Sequence, residues 1–285
     1  MTLSLFRPRK AAPVVISHGR PSLARPVSQC CTRSQMDEEA YPYWCREIRE
    51  APRHHRKQWE FCYIAQTLAL AGKLAPGQRG LGFGVGEEPL AALFAARGAR
   101  VVATDLAPEV AEGTGWIETR QHARSKAMLN QRYICPVDAF EENVEFRNID
   151  MNDIPADLGQ FDFIWSACAF EHLGSIAHGG EFLRNTARLL APGGIAVHTT
   201  ELNCFSNSET LDNADTVLFR RCDLEQFGSE LADLGCALEF NFDLGGLPAD
   251  HHVDLPPYTS SIHLKLQLEK WVTTSFGIAF TRTTN

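Results

Sequence analysis

At 285 residues the chain is long enough for one large domain, and its 44% hydrophobic content is that of an ordinary packed protein. Acidic residues number 35 against 27 basic ones, and the net charge of −8 argues against nucleic acid as the main partner, since phosphate binding needs a basic stripe. No apolar run approaches the ~20 residues of a membrane span. The nine cysteines include no Cys-x-x-Cys pair, so they read as reduced thiols of a cytoplasmic protein and not as a zinc ribbon or a dithiol.

Residues 1–35 carry Arg7, Arg9, Lys10, Arg20, Arg25 and Arg33, no acidic residue, and prolines at 8, 13, 21 and 26. The prolines break the amphipathic helix that a transit peptide needs, so the segment reads as a disordered basic tail. Residues 36–75 read as a helical cover, with Trp59, Cys62, Tyr63, Gln66 and Leu70 recurring at roughly helical spacing. The basic run Arg53-His54-His55-Arg56-Lys57 reads as a solvated helix start in preference to a seat for an acidic substrate. From residue 76 to 285 strands and helices alternate. Strands are predicted at 79–82, 101–105, 144–150, 161–166, 195–200, 238–242 and 275–281, and helices at 90–96, 180–190 and 223–234. Such alternation implies an α/β, doubly wound, mostly parallel sheet with helices on both faces.

The glycines at 80, 82, 84 and 86 stand between a strand end and a helix start, where open α/β sheets bind ligands. Glu87 follows Gly86, so no Gly-x-Gly-x-x-Gly frame fits from Gly80, Gly82 or Gly84, and the loop points away from a dinucleotide. Asp105 ends an apolar strand about 20 residues on, where a carboxylate accepts hydrogen bonds from two ribose hydroxyls. Asp150-Met151-Asn152 follows the third strand, placing a polar side chain for an adenine amino group and a thioether for its ring.

Together these features resemble the class I, Rossmann-like, S-adenosylmethionine-dependent methyltransferases. The resemblance runs from about Trp59 to the C-terminus, on GLGFGVGEEPL at 80–90, VVATD at 101–105, FRNIDMND at 146–153, FDFIWSACAFEHLG at 161–174 and LLAPGGIAVHTTE at 189–201. It implies a seven-stranded sheet with an antiparallel last strand, S-adenosyl-L-methionine as cofactor and S-adenosyl-L-homocysteine as product. It places Gly82, Phe83, Gly84 and Gly86 on the methionine and ribose side, Asp105 and Leu106 at the ribose, and Asp150, Met151 and Asn152 at the adenine. Ser166 and Ala167 follow strand four, where the family contacts the cofactor's amino group. Gly115-Trp116 and Gln121-His122 are open between a cover over the adenosine and helix packing. The glycine-heavy, short first strand departs from the family pattern.

For the acceptor side, His172 is the candidate base, its unperturbed pKa near ~6.5 suiting proton removal at neutral pH. Glu201 ends strand five at the same rim and is the second catalytic candidate. Glu171, His251 and His263 are candidates for substrate binding, and no metal is expected because no tight ligand spacing supports one. Leu255-Pro256-Pro257-Tyr258 is similar to a motif of methyltransferases acting on nucleic-acid bases, but it stands far from strand four, where that motif belongs. The expected partner is therefore a small-molecule methyl acceptor, most simply a sugar, a glycan precursor or a specialised metabolite methylated at oxygen, with neither nucleic acid nor membrane and with a homodimer left open. The competing readings are an inert cofactor-binding subunit and, disfavoured by the glycine spacing, a nicotinamide oxidoreductase.

Overall fold

The computed structural model describes residues 14–107, 123 and 125–284; Gly115-Trp116 and Gln121-His122 lie outside the described residues. Apolar strands β4 (Arg79–Gly82), β5 (Arg100–Asp105), β6 (Val144–Asn148) and β7 (Phe161–Ala167) pair in parallel, with β4 between β5 and β7. Strand β8 (Leu190–Asn203) joins β7 in parallel, and β13 (Trp271–Arg282) runs antiparallel beside β8 from Thr273↔Asn203 to Thr281↔Ile195. Strand β9 (Cys236–Asn241) then pairs antiparallel with the end of β13, completing the seven strands expected.

Short strands extend this sheet to eleven: β1 (Val14–Ile16) and β2 (Ser28–Cys30) pair with β9, while β12 (Lys265–Leu268) pairs with β13 and with β10 (Val253–Asp254). Residues 14–35 are therefore not the disordered tail expected. Ser28, Gln29 and Cys30 are fully buried, because the outer edge of β13 is left open between β12 and β9 and β2 fills that gap. The sequence Ser-Gln-Cys has no strand signal of its own, and tertiary pairing overrides local propensity there.

Helices cover both faces, as two buried clusters record. One face carries α1 (Ala40–Glu47), α2 (Arg56–Leu70), α3 (Leu90–Ala96) and α4 (Val137–Asn143). The other carries α5 (Ile176–Leu189) and α6 (Arg221–Asp233), followed in the chain by the one-turn helix α7 (Pro248–His251). Helix α5 begins at Ser175, whose side chain accepts from the His178 N–H.

Packing explains the glycine-heavy β4. A Cβ at Gly80 would fall 2.2 Å from the Phe163 ring, and one at Gly82 would fall 2.3 Å from the Trp165 ring. Those rings stack on each other at 5.9 Å, and Phe94 of α3 meets both edge-on. Two glycines in one strand thus make room for two large rings from the next.

Candidate functional site

Where β4, β5, β7 and β8 end, the strand-to-helix turns surround a cavity of about 930 Å³. Its wall is built by Gly84–Glu88 after β4, by Asp105 and Leu106 after β5, by 149–152 after β6 and by Ala167–Ala169 after β7. The start of α2 and residues from the C-terminal strands supply the rest. Its volume is that of a small-molecule site.

Gly84 takes φ +56°, and a Cβ there would lie 2.8 Å from Ala169 Cβ and 3.4 Å from Met151 Sδ. Bare backbone is thus required at the cavity's floor. Asp105 is buried, and its Oδ2 accepts from the backbone N–H of Gly86 (3.0 Å) and of Ala123 (2.9 Å), its Oδ1 from that of Leu106 (2.8 Å). Donors on both oxygens favour the carboxylate form. Asp150 Oδ1 accepts from the Asn152 N–H at 2.8 Å, which turns the chain so that Met151 packs inward while Asp150 and Asn152 stay at the rim.

Four expected site residues do not line the cavity. Gly82 lacks a side chain to accommodate Trp165, as above. Phe83 points to the opposite face, edge-on to Phe182 at 5.3 Å. Strand alternation also turns Ser166 away, and its Oγ lies 2.8 Å from His198 Nδ1, whereas Ala167 faces the cavity. His251 sits exposed on α7, whose first turn is held instead by Asp250 accepting from the Leu247 N–H at 2.9 Å.

On the acceptor side the cavity gathers Glu171, His172, Glu201 and His263. His172 Nδ1 lies 2.9 Å from the Asp215 carbonyl and 3.2 Å from Thr216 Oγ1. A carbonyl only accepts, so Nδ1 carries the proton there. Thr200 Oγ1 donates to Glu171 at 3.1 Å. Glu201, 5% exposed, is held on both oxygens by the Arg56 guanidinium and accepts from Thr273 Oγ1 at 2.7 Å. That pairing occupies both carboxylate oxygens and makes Glu201 the anchor of Arg56.

The basic run 53–57 is a solvated helix start only in part: Arg53 and His54 are exposed, but Arg56 and Lys57 in the first turn of α2 reach into the site. Arg56 meets Glu201, and Lys57 Nζ donates to the Ala167 carbonyl at 2.7 Å. Lys57 also lies 3.1 Å from Glu60 Oε2, an ionic contact without the alignment of a hydrogen bond. Burial works against both charges, yet Lys57 and Arg56 hold the Glu60 carboxyl below its ordinary range, and Glu60 raises the Lys57 ammonium. Beside them Glu88 accepts from Trp165 Nε1 at 2.8 Å, and burial pushes its carboxyl up to about 8, Lys57 only partly opposing. Neither Glu60 nor Glu88 is evident from sequence, because the first lies in an apolar helix and the second beside an ordinary helix-start proline. The signal available was the Glu-Glu-Pro after the glycine loop, a carboxylate pair facing whatever the loop binds.

Cys168, Glu171 and Glu201 bring one ligand atom each to within 4.8 Å of one another. Arg56 already engages both Glu201 oxygens, and burial, with Glu171 and Glu60, pushes the Cys168 thiol well up, so the trio offers a cation little.

Residues 53–239 match the family model described as a methyltransferase domain. No curated protein matches the chain. Among solved structures, a protein from Galdieria sulphuraria described as a sarcosine dimethylglycine methyltransferase is 18% identical, with a TM-score of 0.49 over 80% of this chain and 85% of that one. A magnesium protoporphyrin IX methyltransferase from Synechocystis with bound SAH is 12% identical, with a TM-score of 0.47 over 88% and 98%. An S-adenosylmethionine-dependent methyltransferase from Clostridium acetobutylicum is 10% identical, with a TM-score of 0.46 over 80% and 92%.

Proposed function

The chain belongs to the methyltransferase-domain family, whose members take their methyl group from S-adenosylmethionine; from that premise we propose that it methylates a hydroxyl oxygen of a small molecule, such as a sugar, a glycan precursor or a specialised metabolite. The observation that carries this reading is the cavity of about 930 Å³ with an oriented imidazole, His172, in its wall. A macromolecular acceptor would need an open, complementary surface, and a nucleic acid a basic one.

The residues present fit the cofactor. The bare backbone at Gly84 is a cradle that a Cβ would fill, and the Asp105 carboxylate is fixed at the end of β5 beside it by the Gly86 and Leu106 N–H groups. Gly86 and Leu106 flank that carboxylate, Met151 gives an apolar wall for the adenine with Asp150 and Asn152 at its rim, and Ala167 bounds the methionine side. S-adenosylmethionine supplies a methyl group already activated by its sulfonium, so the protein's task is alignment and proton removal.

His172 takes the acceptor hydroxyl's proton, and the Asp215 carbonyl orients its ring through Nδ1. Glu201 fixes Arg56, which with Lys57 closes the cavity from the α2 side. The nine cysteines are unpaired, in keeping with a cytoplasmic setting, and among the described residues no helix is long and apolar enough to cross a membrane.

Incubation with methyl-labelled S-adenosylmethionine and separate pools of small hydroxyl compounds, RNA and protein tests the reading. The expected product is a labelled methyl ether in the small-molecule pool. Label confined to RNA or protein, or borne on nitrogen, would overturn it. His172→Ala should lower kcat by about 10²–10⁴-fold, as loss of a general base does, with S-adenosylhomocysteine affinity by calorimetry unchanged; full turnover would remove His172 from the chemistry.

A further inference from the structure

His55 and His263 meet on the cavity wall. The two-residue strands β3 (His54–His55) and β11 (Ile262–His263) pair in parallel with His263 opposite His55, and the rings stack at 4.6 Å with 28° between their planes. Each ring is pinned through Nδ1, but in opposite senses. His55 Nδ1 accepts the Lys57 backbone N–H at 3.1 Å, so its neutral ring carries the proton on Nε2. Burial, then His263 and Arg53, lower that ring to about 4, so it stays neutral at physiological pH.

His263 Nδ1 lies 2.7 Å from Asp254 Oδ2, and this hydrogen bond holds the Asp254 carboxyl below its ordinary range. An ionised carboxylate can only accept, so Nδ1–H donates, and it is the neutral ring that has its lone pair on Nε2. Two adjacent imidazoles therefore offer one hydrogen-bond donor and one acceptor. Tyr258 also lines the cavity, its ring edge-on to His263 at 6.0 Å and its hydroxyl tied to the Gln267 carbonyl at 2.7 Å.

We propose that His55 and His263 form the acceptor-recognition site, and that it takes a vicinal diol: His263 accepts from one hydroxyl and His55 donates to the neighbouring oxygen. With ring centroids 4.6 Å apart on the cavity wall, the two imidazoles are close enough for neighbouring hydroxyls of one small molecule to meet both. A lone hydroxyl satisfies only one imidazole and leaves the other's polar nitrogen unmatched, which is how a site rejects a deoxy analogue. The inference rests on the hydroxyl-methylation reading and narrows it to polyhydroxylated, sugar-like acceptors.

The test is transfer of labelled methyl to matched acceptors: pyranosides and inositols carrying a vicinal diol against their monodeoxy counterparts and against cyclohexanol. Wild type should favour the diols at least tenfold in kcat/KM. His55→Phe, which keeps the stacked ring and loses the donor, and His263→Phe should each raise KM for the diol about tenfold with a much smaller change in kcat. Both should collapse the diol preference while leaving S-adenosylhomocysteine affinity unchanged, a binding readout that also reports intact folding. Equal transfer to diol and deoxy acceptors, or a preference the variants do not move, overturns this inference and leaves hydroxyl methylation standing; no transfer to any hydroxyl overturns both. Independently of substrate, ¹⁵N spectra should find His55 protonated on Nε2 and His263 on Nδ1, and the reverse pattern would also sink the proposal.

Discussion

Gly82 ends β4 and Gly84 lies in the turn two residues on, yet the absent side chain serves a different purpose at each. At Gly82 a methyl group would press into the Trp165 ring at 2.3 Å, on the packed side of the sheet. Gly82→Ala should therefore lower stability by about 1–3 kcal/mol, the usual cost of overpacking, with cofactor affinity retained. At Gly84 the backbone is left-handed, φ +56°, and the methyl group would meet Ala169 at 2.8 Å on the cavity floor. Gly84→Ala should weaken S-adenosylhomocysteine binding by more than tenfold. Denaturant unfolding and calorimetry on the two variants separate these roles. Lost affinity in Gly82→Ala at unchanged stability would make Gly82 a ligand contact after all. Sequence spacing located the loop but could not divide its glycines, because Phe163 and Trp165 lie about eighty residues further along the chain.

At the scale of elements, α2 combines two functions that its sequence separates poorly. Its apolar positions Trp59, Cys62 and Tyr63 are buried, as their spacing predicts, whereas Leu70 of the same stripe is exposed at the helix end. Its first turn instead carries Arg56 into an ion pair with Glu201, 145 residues away, and no local pattern announces that partner. Side-chain exposure of the pair is 13% and 7%, so both charges are largely out of water. Arg56→Met leaves Glu201 buried without a counter-charge and should cost about 3–5 kcal/mol. The double variant Arg56→Met, Glu201→Leu should recover most of that loss. Urea midpoints for the four proteins of the cycle measure the coupling, and a single variant as stable as wild type would mean that water already solvates Glu201. The same limit governs the strands. Those with continuous apolar runs, β5 and β7, were legible to within a residue or so, whereas β8 runs to Asn203 and includes the Pro-Gly-Gly at 192–194 that reads as a turn. Strand β2 was invisible because the β13 edge, and not its own residues, makes it a strand.

For the whole molecule, the order of motifs along the chain carried the sheet and the methyl-donor end of the cavity, since both depend on residues close in sequence to strand ends. The acceptor end draws on residues 53–60 and 254–273, which meet only through the tertiary fold, and so only His172, Glu171, Glu201 and His263 of it were anticipated. The fold also gives the protein two opposed responses to pH. His198 is fully buried among Phe170, Phe182 and Phe280, and burial lowers it to about 3. The unfolded ring, near ~6.5, binds a proton that the folded ring refuses, so this residue's contribution is complete above that pH and is lost as pH falls toward 3. Glu88 acts in the other direction. Its folded carboxyl, raised to about 8 from 4.5, favours the folded state at low pH, and that contribution disappears as pH rises through 8. Between pH 7.5 and pH 5, His198 should cost about 2 kcal/mol and Glu88 should return about 3 kcal/mol, at ~1.4 kcal/mol per unit. Wild type should consequently change little over this range in denaturant unfolding. His198→Leu should gain about 2 kcal/mol on acidification relative to wild type, and Glu88→Gln should lose about 3 kcal/mol relative to it. Parallel pH curves for wild type and both variants would mean that water reaches these two side chains in the folded protein, and that neither burial is what sets their protonation.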